Sequence, residues 1–180
     1  MVNPASLLFV LIFFFAFSNA ISIITPQPQE SKSFKIQNTQ TQSQSGRSSC
    51  SYTVTIKTSC SSVRFTRDRI SISFGDAYGN QVYAPRIDDP YSRTFERCST
   101  DTFQIRGPCT YKICYLYLLR SGYDGWKPET VNVYGPSSKV SFYYNTFVPN
   151  GVWYGFNLCN SNVVDDISGS TSTSSVAISK

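Results

Sequence analysis

The chain has 180 residues, with six cysteines, 12 tyrosines, 13 phenylalanines, no histidine and a formal net charge of +5. That length admits one domain of ordinary size with tails. The lack of histidine rules out Ser-His-Asp and Cys-His catalysis and removes the commonest metal ligand, while the Tyr, Phe and Thr content suits pleated strands.

Residues 1–20 have the form of a signal peptide. Leu7 to Phe17 is one apolar run, too short to span a bilayer, which takes about 20 apolar residues. Ser18-Asn19-Ala20 then offers small residues for cleavage after Ala20. Residues 21–49 are rich in Ser, Thr, Gln and Pro, and a stretch such as Gln37 to Ser45 buries too little surface to offset chain entropy. They are expected to form a flexible linker or pro-segment. Residues 161–180, with the Ser/Gly/Thr tract from Ser168 to Ser175, are expected to be a disordered tail. The domain is thereby confined to residues 50–160.

Within it, Tyr52 to Lys57 and Arg69 to Phe74 alternate apolar and polar side chains, the period of half-buried strands. Gly75-Asp76-Ala77-Tyr78-Gly79-Asn80 follows as a turn. Thr102 to Ile105 is a short strand ending at Gly107-Pro108. Tyr111 to Leu119 is apolar on both faces, as a central strand would be. Thr130 to Tyr134, Lys139 to Tyr144 and Val152 to Leu158 complete the set. No segment sustains a helical period, and the turn spacing is that of an antiparallel β-sandwich.

All six cysteines, Cys50, Cys60, Cys98, Cys109, Cys114 and Cys159, fall inside this domain. An even number in an exported chain reads as three disulfides, with the pairing left open. Cys159 near one end and Cys50 near the other imply that a bridge ties a terminal strand to the body. The rival reading, a metal site on Cys109-x4-Cys114, lacks the tighter spacing and histidines of zinc sites.

The order of motifs resembles the plant embryo-specific protein family, which is similar to the PLAT, or lipoxygenase-homology, domain. The residues that carry the likeness are Tyr52 to Thr58, Thr66 to Asp76, Phe95 to Cys98 with Asp101-Thr102-Phe103, and Gly122-Tyr123-Asp124-Gly125-Trp126-Lys127-Pro128 running on to Val133. The resemblance implies a β-sandwich of about eight strands. It implies binding of lipid, a membrane surface or a protein partner, sometimes with calcium, and no catalysis by the domain itself. The chain departs from the pattern in its six cysteines and in loops poor in acidic residues.

Three groups of residues are candidates for a site. Trp126 and Trp153 would anchor in a membrane interface if exposed, against the alternative of core packing. Arg64, Arg67 and Arg69 could meet anionic headgroups or polysaccharide carboxylates, against the alternative of a solvated face with local ion pairs. Asp68, Asp76 and Asp124, with Asp101 beside them, fall at strand ends where oxygen ligands for Ca2+ could gather, against plain turn chemistry. The Asp88-Asp89 pair before Pro90 reads as a turn and not as paired catalytic carboxylates. No cofactor other than Ca2+ and no nucleic-acid module is expected.

The sequence therefore describes a secreted, non-enzymatic binding module, acting in the apoplast after passage through the endoplasmic reticulum. Its expected partner is a lipid or membrane surface. The alternative is an extracellular cell-wall protein that binds protein or polysaccharide without binding lipid. A β-trefoil inhibitor or lectin is disfavoured because no threefold repeat is visible. Aromatic loop tips would favour the membrane, and a flat aromatic-polar sheet face the alternative.

Overall fold

A computed structural model describes residues 26–37, 48–88, 93–136 and 138–160. The expected leader, the Gln37 to Ser45 tract beyond its first residue, Asp89 and the 161–180 tail lie outside the described residues. Nine strands are present among them: β1 (Gln29–Glu30), β2 (Ser49–Thr58), β3 (Arg69–Gly75), β4 (Gln81–Ala84), β5 (Thr100–Pro108), β6 (Tyr115–Ser121), β7 (Pro128–Tyr134), β8 (Lys139–Tyr143) and β9 (Trp153–Asn157). Every strand pairing is antiparallel. One sheet has the order β1-β9-β6-β3-β4 and the other β5-β2-β7-β8. Eight strands make the sandwich and the two-residue β1 is added at an edge, so the all-β, disulfide-stapled sandwich expected from the sequence is the fold.

The period-2 pattern decides which side chains go inside. Tyr52, Val54 and Ile56 of β2 face Ile70, Ile72 and Phe74 of β3 in the buried layer, with Leu116, Leu118, Val131, Val133, Phe142 and Phe156 around them. The Tyr52 ring meets Phe74 edge-on at 5.2 Å, and its hydroxyl donates to the Pro108 carbonyl at 2.8 Å and accepts from the Thr110 amide at 2.8 Å. The buried phenol is thereby satisfied at both ends, as burial requires.

Some strand bounds differ from the sequence reading, and β4 is added to it. The central strand starts at Tyr115 rather than Tyr111, because Tyr111 turns outward against Tyr78, their rings 5.2 Å apart. β4, of four residues, is too short to show a period in the sequence.

Residues 26–37 correct the expected linker over 21–49. β1 pairs with β9, Ser31 N donates to the Trp153 carbonyl at 2.9 Å, and Gln37 N donates to Gln81 Oε1 at 2.7 Å. The segment thus crosses the outer face of the five-stranded sheet from β9 to β4 as a strap. Phe34 is its anchor, with ring centroids 4.3 Å from Tyr117, 5.2 Å from Trp153 and 6.0 Å from Tyr115. This is why β6 is apolar on both faces: Leu116 and Leu118 fill the core, and Tyr115 and Tyr117 lie beneath the strap.

The bridges are Cys50–Cys109, Cys60–Cys98 and Cys114–Cys159. The first joins the start of β2 to the residue after β5. The last joins the residue before β6 to the chain just past β9, so the first long strand and the last strand are both tied to the body, as the cysteine positions implied. Cys109 and Cys114, the pair with metal-like spacing, go to different partners.

Candidate functional site

The antiparallel pairings bring four connections to one end of the sandwich: residues 59–68, the described part of 85–99, 122–127 and 144–152. They interlock. Arg97 N donates to the Arg64 carbonyl at 3.0 Å, Lys127 N to Ser62 Oγ at 3.0 Å, Arg67 N to Asp124 Oδ2 at 2.8 Å, and Val148 N to the Trp126 carbonyl at 3.0 Å. Cys60–Cys98 staples the first connection to the second.

Asp68 is the hub of this end. Its carboxylate accepts from Arg120 Nη1, from Asp124 N at 3.0 Å and from Gly125 N at 3.0 Å. Arg120 also donates through Nε to the Val148 carbonyl at 2.8 Å and through Nη1 to the Gly122 carbonyl at 3.1 Å. Gly122 is required beside it, since a Cβ there would overlap the Asp68 carboxylate and its φ of 154° lies where side chains are disfavoured. Burial by itself would raise the Asp68 carboxyl, but the Asp124 amide, the Arg120 guanidinium and the Gly125 amide outweigh it and hold the group below its usual range.

The acidic candidates are therefore used structurally. Asp68 is occupied by a guanidinium and two amides, so a metal ion at this carboxylate would face N–H donors. Asp76 caps the opposite turn: Oδ1 accepts from Tyr78 N and Asn80 N, and Oδ2 from Asn80 Nδ2 and Tyr111 N, all within 3.0 Å. Its burial too is outweighed by these donors, so its carboxyl stays below the usual range. Asp124 accepts from the Arg67 amide, with Arg67 Nε 3.6 Å away, and Asp101 accepts from Phe95 N and Ser99 Oγ. None of the three calcium candidates presents a free oxygen cluster, and no group of acidic residues that could hold a metal ion exists among the described residues. Asp88 accepts from Ile70 N and pairs with Arg86, which is turn chemistry.

Trp126 is also corrected. Its ring is fully buried, 4.7 Å from the Phe95 ring, and its Nε1 donates to Thr58 Oγ1 at 3.1 Å. It is a core residue at the base of the loop end, packed on Phe95 of a neighbouring connection and tied through its carbonyl to Val148 of another. Trp153 is half-buried on the outer sheet face beside Phe34 and Tyr83, with Phe156 turned the other way into the core. The two tryptophans do not meet and neither lies at a loop tip.

The aromatic tips are other residues. Tyr123 is fully exposed, and Phe65 and Phe147 are 47% and 50% exposed. Arg64, Phe65, Arg67, Arg93 and Glu96 line a shallow groove of about 430 Å3, and the Arg67 guanidinium sits 5.5 Å over the Phe65 ring. Arg64 and Arg67 are thus brought together with Arg93, while Arg69 is directed away, its Nε donating to the Pro85 carbonyl at 3.1 Å. Phe65, Tyr123 and Phe147 were not singled out from the sequence. The one available signal was an aromatic residue inside a turn, as in Gly122-Tyr123-Asp124-Gly125.

Two antiparallel sheets in this strand order define the class: a PLAT-like β-sandwich domain. The solved chain of Delta413-417:GS LOX is similar in fold, with a TM-score of 0.52 at 21% identity over 61% of this chain and 16% of its own. The model of the family Embryo-specific protein 3 (ATS3) matches residues 35–159, and the chain belongs to that family. Its relatives include Embryo-specific protein ATS3A of Arabidopsis thaliana, 70% identical over 62% of this chain and 63% of its own length, and Embryo-specific protein ATS3B of the same plant, 68% identical over 63% and 60%. The match therefore spans about six tenths of each of these relatives.

Proposed function

We propose that this chain is a secreted, non-enzymatic binding module of plant embryo tissue that docks its loop end on an anionic membrane or lipid surface. The observation that carries the reading is the placement of Phe65, Tyr123 and Phe147 at one end, beside Arg64, Arg67 and Arg93. Exposed rings enter the headgroup layer, and each cation near an anionic leaflet adds roughly 1 kcal/mol. The hub of Asp68 and Arg120 holds the rings in place, so little order has to be gained on docking. Export through the endoplasmic reticulum is supported by three bridges with no free cysteine among the described residues, and by the apolar leader followed by Ser18-Asn19-Ala20.

The experiment is vesicle co-flotation of the chain recovered from the medium of a secreting plant host, so that any leader has been processed. Neutral and anionic vesicles are compared at low and high salt, with and without Ca2+. Flotation with anionic vesicles only, weakened by salt and by Arg64→Gln with Arg67→Gln, and indifferent to Ca2+, is the expected result. Absence of flotation on every vesicle overturns the membrane reading, and failure to reach the medium overturns export.

A further inference from the structure

The outer face of the four-stranded sheet takes no part in the loop end and differs from it in kind. Side chains alternate along each strand, so the neighbours of Val54, Ile56, Val131 and Val133 point outward. Register aligns them across the sheet. Thr102, Thr55, Asn132 and Ser141 form one row. Tyr134 lies in the row on one side of it and Tyr143 in the row on the other. At the usual strand rise and spacing the two tyrosine positions are about 14 Å apart, with hydroxyl and amide groups between them.

These polar groups are fixed by one another. Ser141 Oγ donates to Asn132 Oδ1 at 2.6 Å, Gln104 Nε2 to Thr53 Oγ1 at 2.9 Å, and the Thr55 and Thr102 hydroxyls meet at 3.5 Å. Each still has hydrogen-bonding capacity to spare. The rings of Tyr134 and Tyr143 are 38% and 65% exposed. Charge on the face is of one sign once pairs are removed. Glu129 is joined to Lys57 at 2.6 Å, whereas Lys139, 5.1 Å from the Tyr134 ring centroid, and Arg106 on β5 have no carboxylate partner among the described residues.

A lipid tail or an apolar protein surface finds no hydrophobic centre here to bury against. Two aromatic platforms, a lattice of hydroxyl and amide groups, and unpaired cations at the margins instead match a polyhydroxylated chain that carries negative charge. We propose that this face binds an extended acidic polysaccharide, with sugar rings lying on Tyr134 and Tyr143, sugar hydroxyls on the Thr102–Ser141 row, and carboxylates at Arg106 and Lys139. The site stands apart from the loop end and does not depend on membrane docking.

The test is calorimetric titration of the secreted chain with galacturonic acid oligomers of defined length, their methyl esters, and neutral β-1,4-glucan oligomers of the same length. The acidic oligomers are expected to bind, with affinity falling about tenfold on esterification and at high salt. Tyr143→Ala should lower affinity about tenfold while Tyr143→Phe keeps it, and Arg106→Gln with Lys139→Gln should remove the salt dependence. All these side chains are exposed, so an unchanged melting temperature separates lost binding from lost fold. Failure of the acidic oligomers to bind overturns the proposal. So does equal binding of the neutral glucan, or binding that survives the face variants and is lost in the Arg64→Gln, Arg67→Gln chain.

Discussion

Arg120 on β6 donates to Asp68 at the mouth of β3, and both side chains are nearly closed to solvent. Through this pair the connections before β3, after β6 and after β8 share one polar centre. Removing one partner strands a buried charge, which costs about 3–5 kcal/mol. Arg120→Met is accordingly expected to lower unfolding free energy in urea by that amount. A replacement that kept wild-type stability would show that the pair does not hold the loop end.

Acid should expose the same dependence. Asp68 and Asp76 have native carboxyls below the usual range, so the unfolded chain binds their protons first as pH falls. Their contribution is complete above the unfolded value of about 4 and is lost as pH drops through the lower native values. Urea midpoints measured from pH 7 down to pH 2 should fall below about pH 4, and Asp76→Asn should flatten part of that fall.

Trp126 and Tyr123 are three residues apart in the chain and opposite in role. Trp126→Ala empties a core position and should cost about 3–5 kcal/mol. Tyr123→Ala should change stability by less than about 0.5 kcal/mol yet weaken vesicle flotation. Equal stability losses for the two would contradict the buried and exposed placements.

Phe34→Ala tests the strap. The half-buried ring is expected to contribute about 1–2 kcal/mol through area and ring contacts. Trp153, 5.2 Å away, should also shift its emission to the red as water reaches it. Unchanged emission and stability would mean the strap is not held by this residue.

Tyr115 gives an alkaline readout. Burial, with the nearby negative charge of Asp76, pushes its phenol up to about 12 against a hydrogen bond to Gln81 that pulls it down. The native chain then holds this proton after the unfolded chain has released it. The stability contributed is present below pH 10 and declines between about pH 10 and 12. Ultraviolet titration of the phenols should show one fewer late-ionising tyrosine in Tyr115→Phe.

Much of the fold was legible because alternation is a local property. Tyr52 to Lys57 and Arg69 to Phe74 state their inward faces in the sequence, and the even cysteine count and the missing histidine limit the chemistry. The strap was not legible: Phe34 is one aromatic in a polar stretch, and the surface it covers is made by β6 and β9, which lie far along the chain.

The candidate site was legible only as residue types. The sequence by itself determined that there would be two layers of strands, three bridges' worth of cysteines, and arginines and tryptophans near turns. Tertiary structure alone decided which cysteines pair, that Trp126 is core while Tyr123 is tip, that Asp68 is held by Arg120 and two loop amides, and that Tyr134 and Tyr143 frame one polar face. The physical reason is that burial, ion pairing and register are relations between strands distant in sequence. A side chain's type limits what it can do, but its neighbours across the sheet settle what it does.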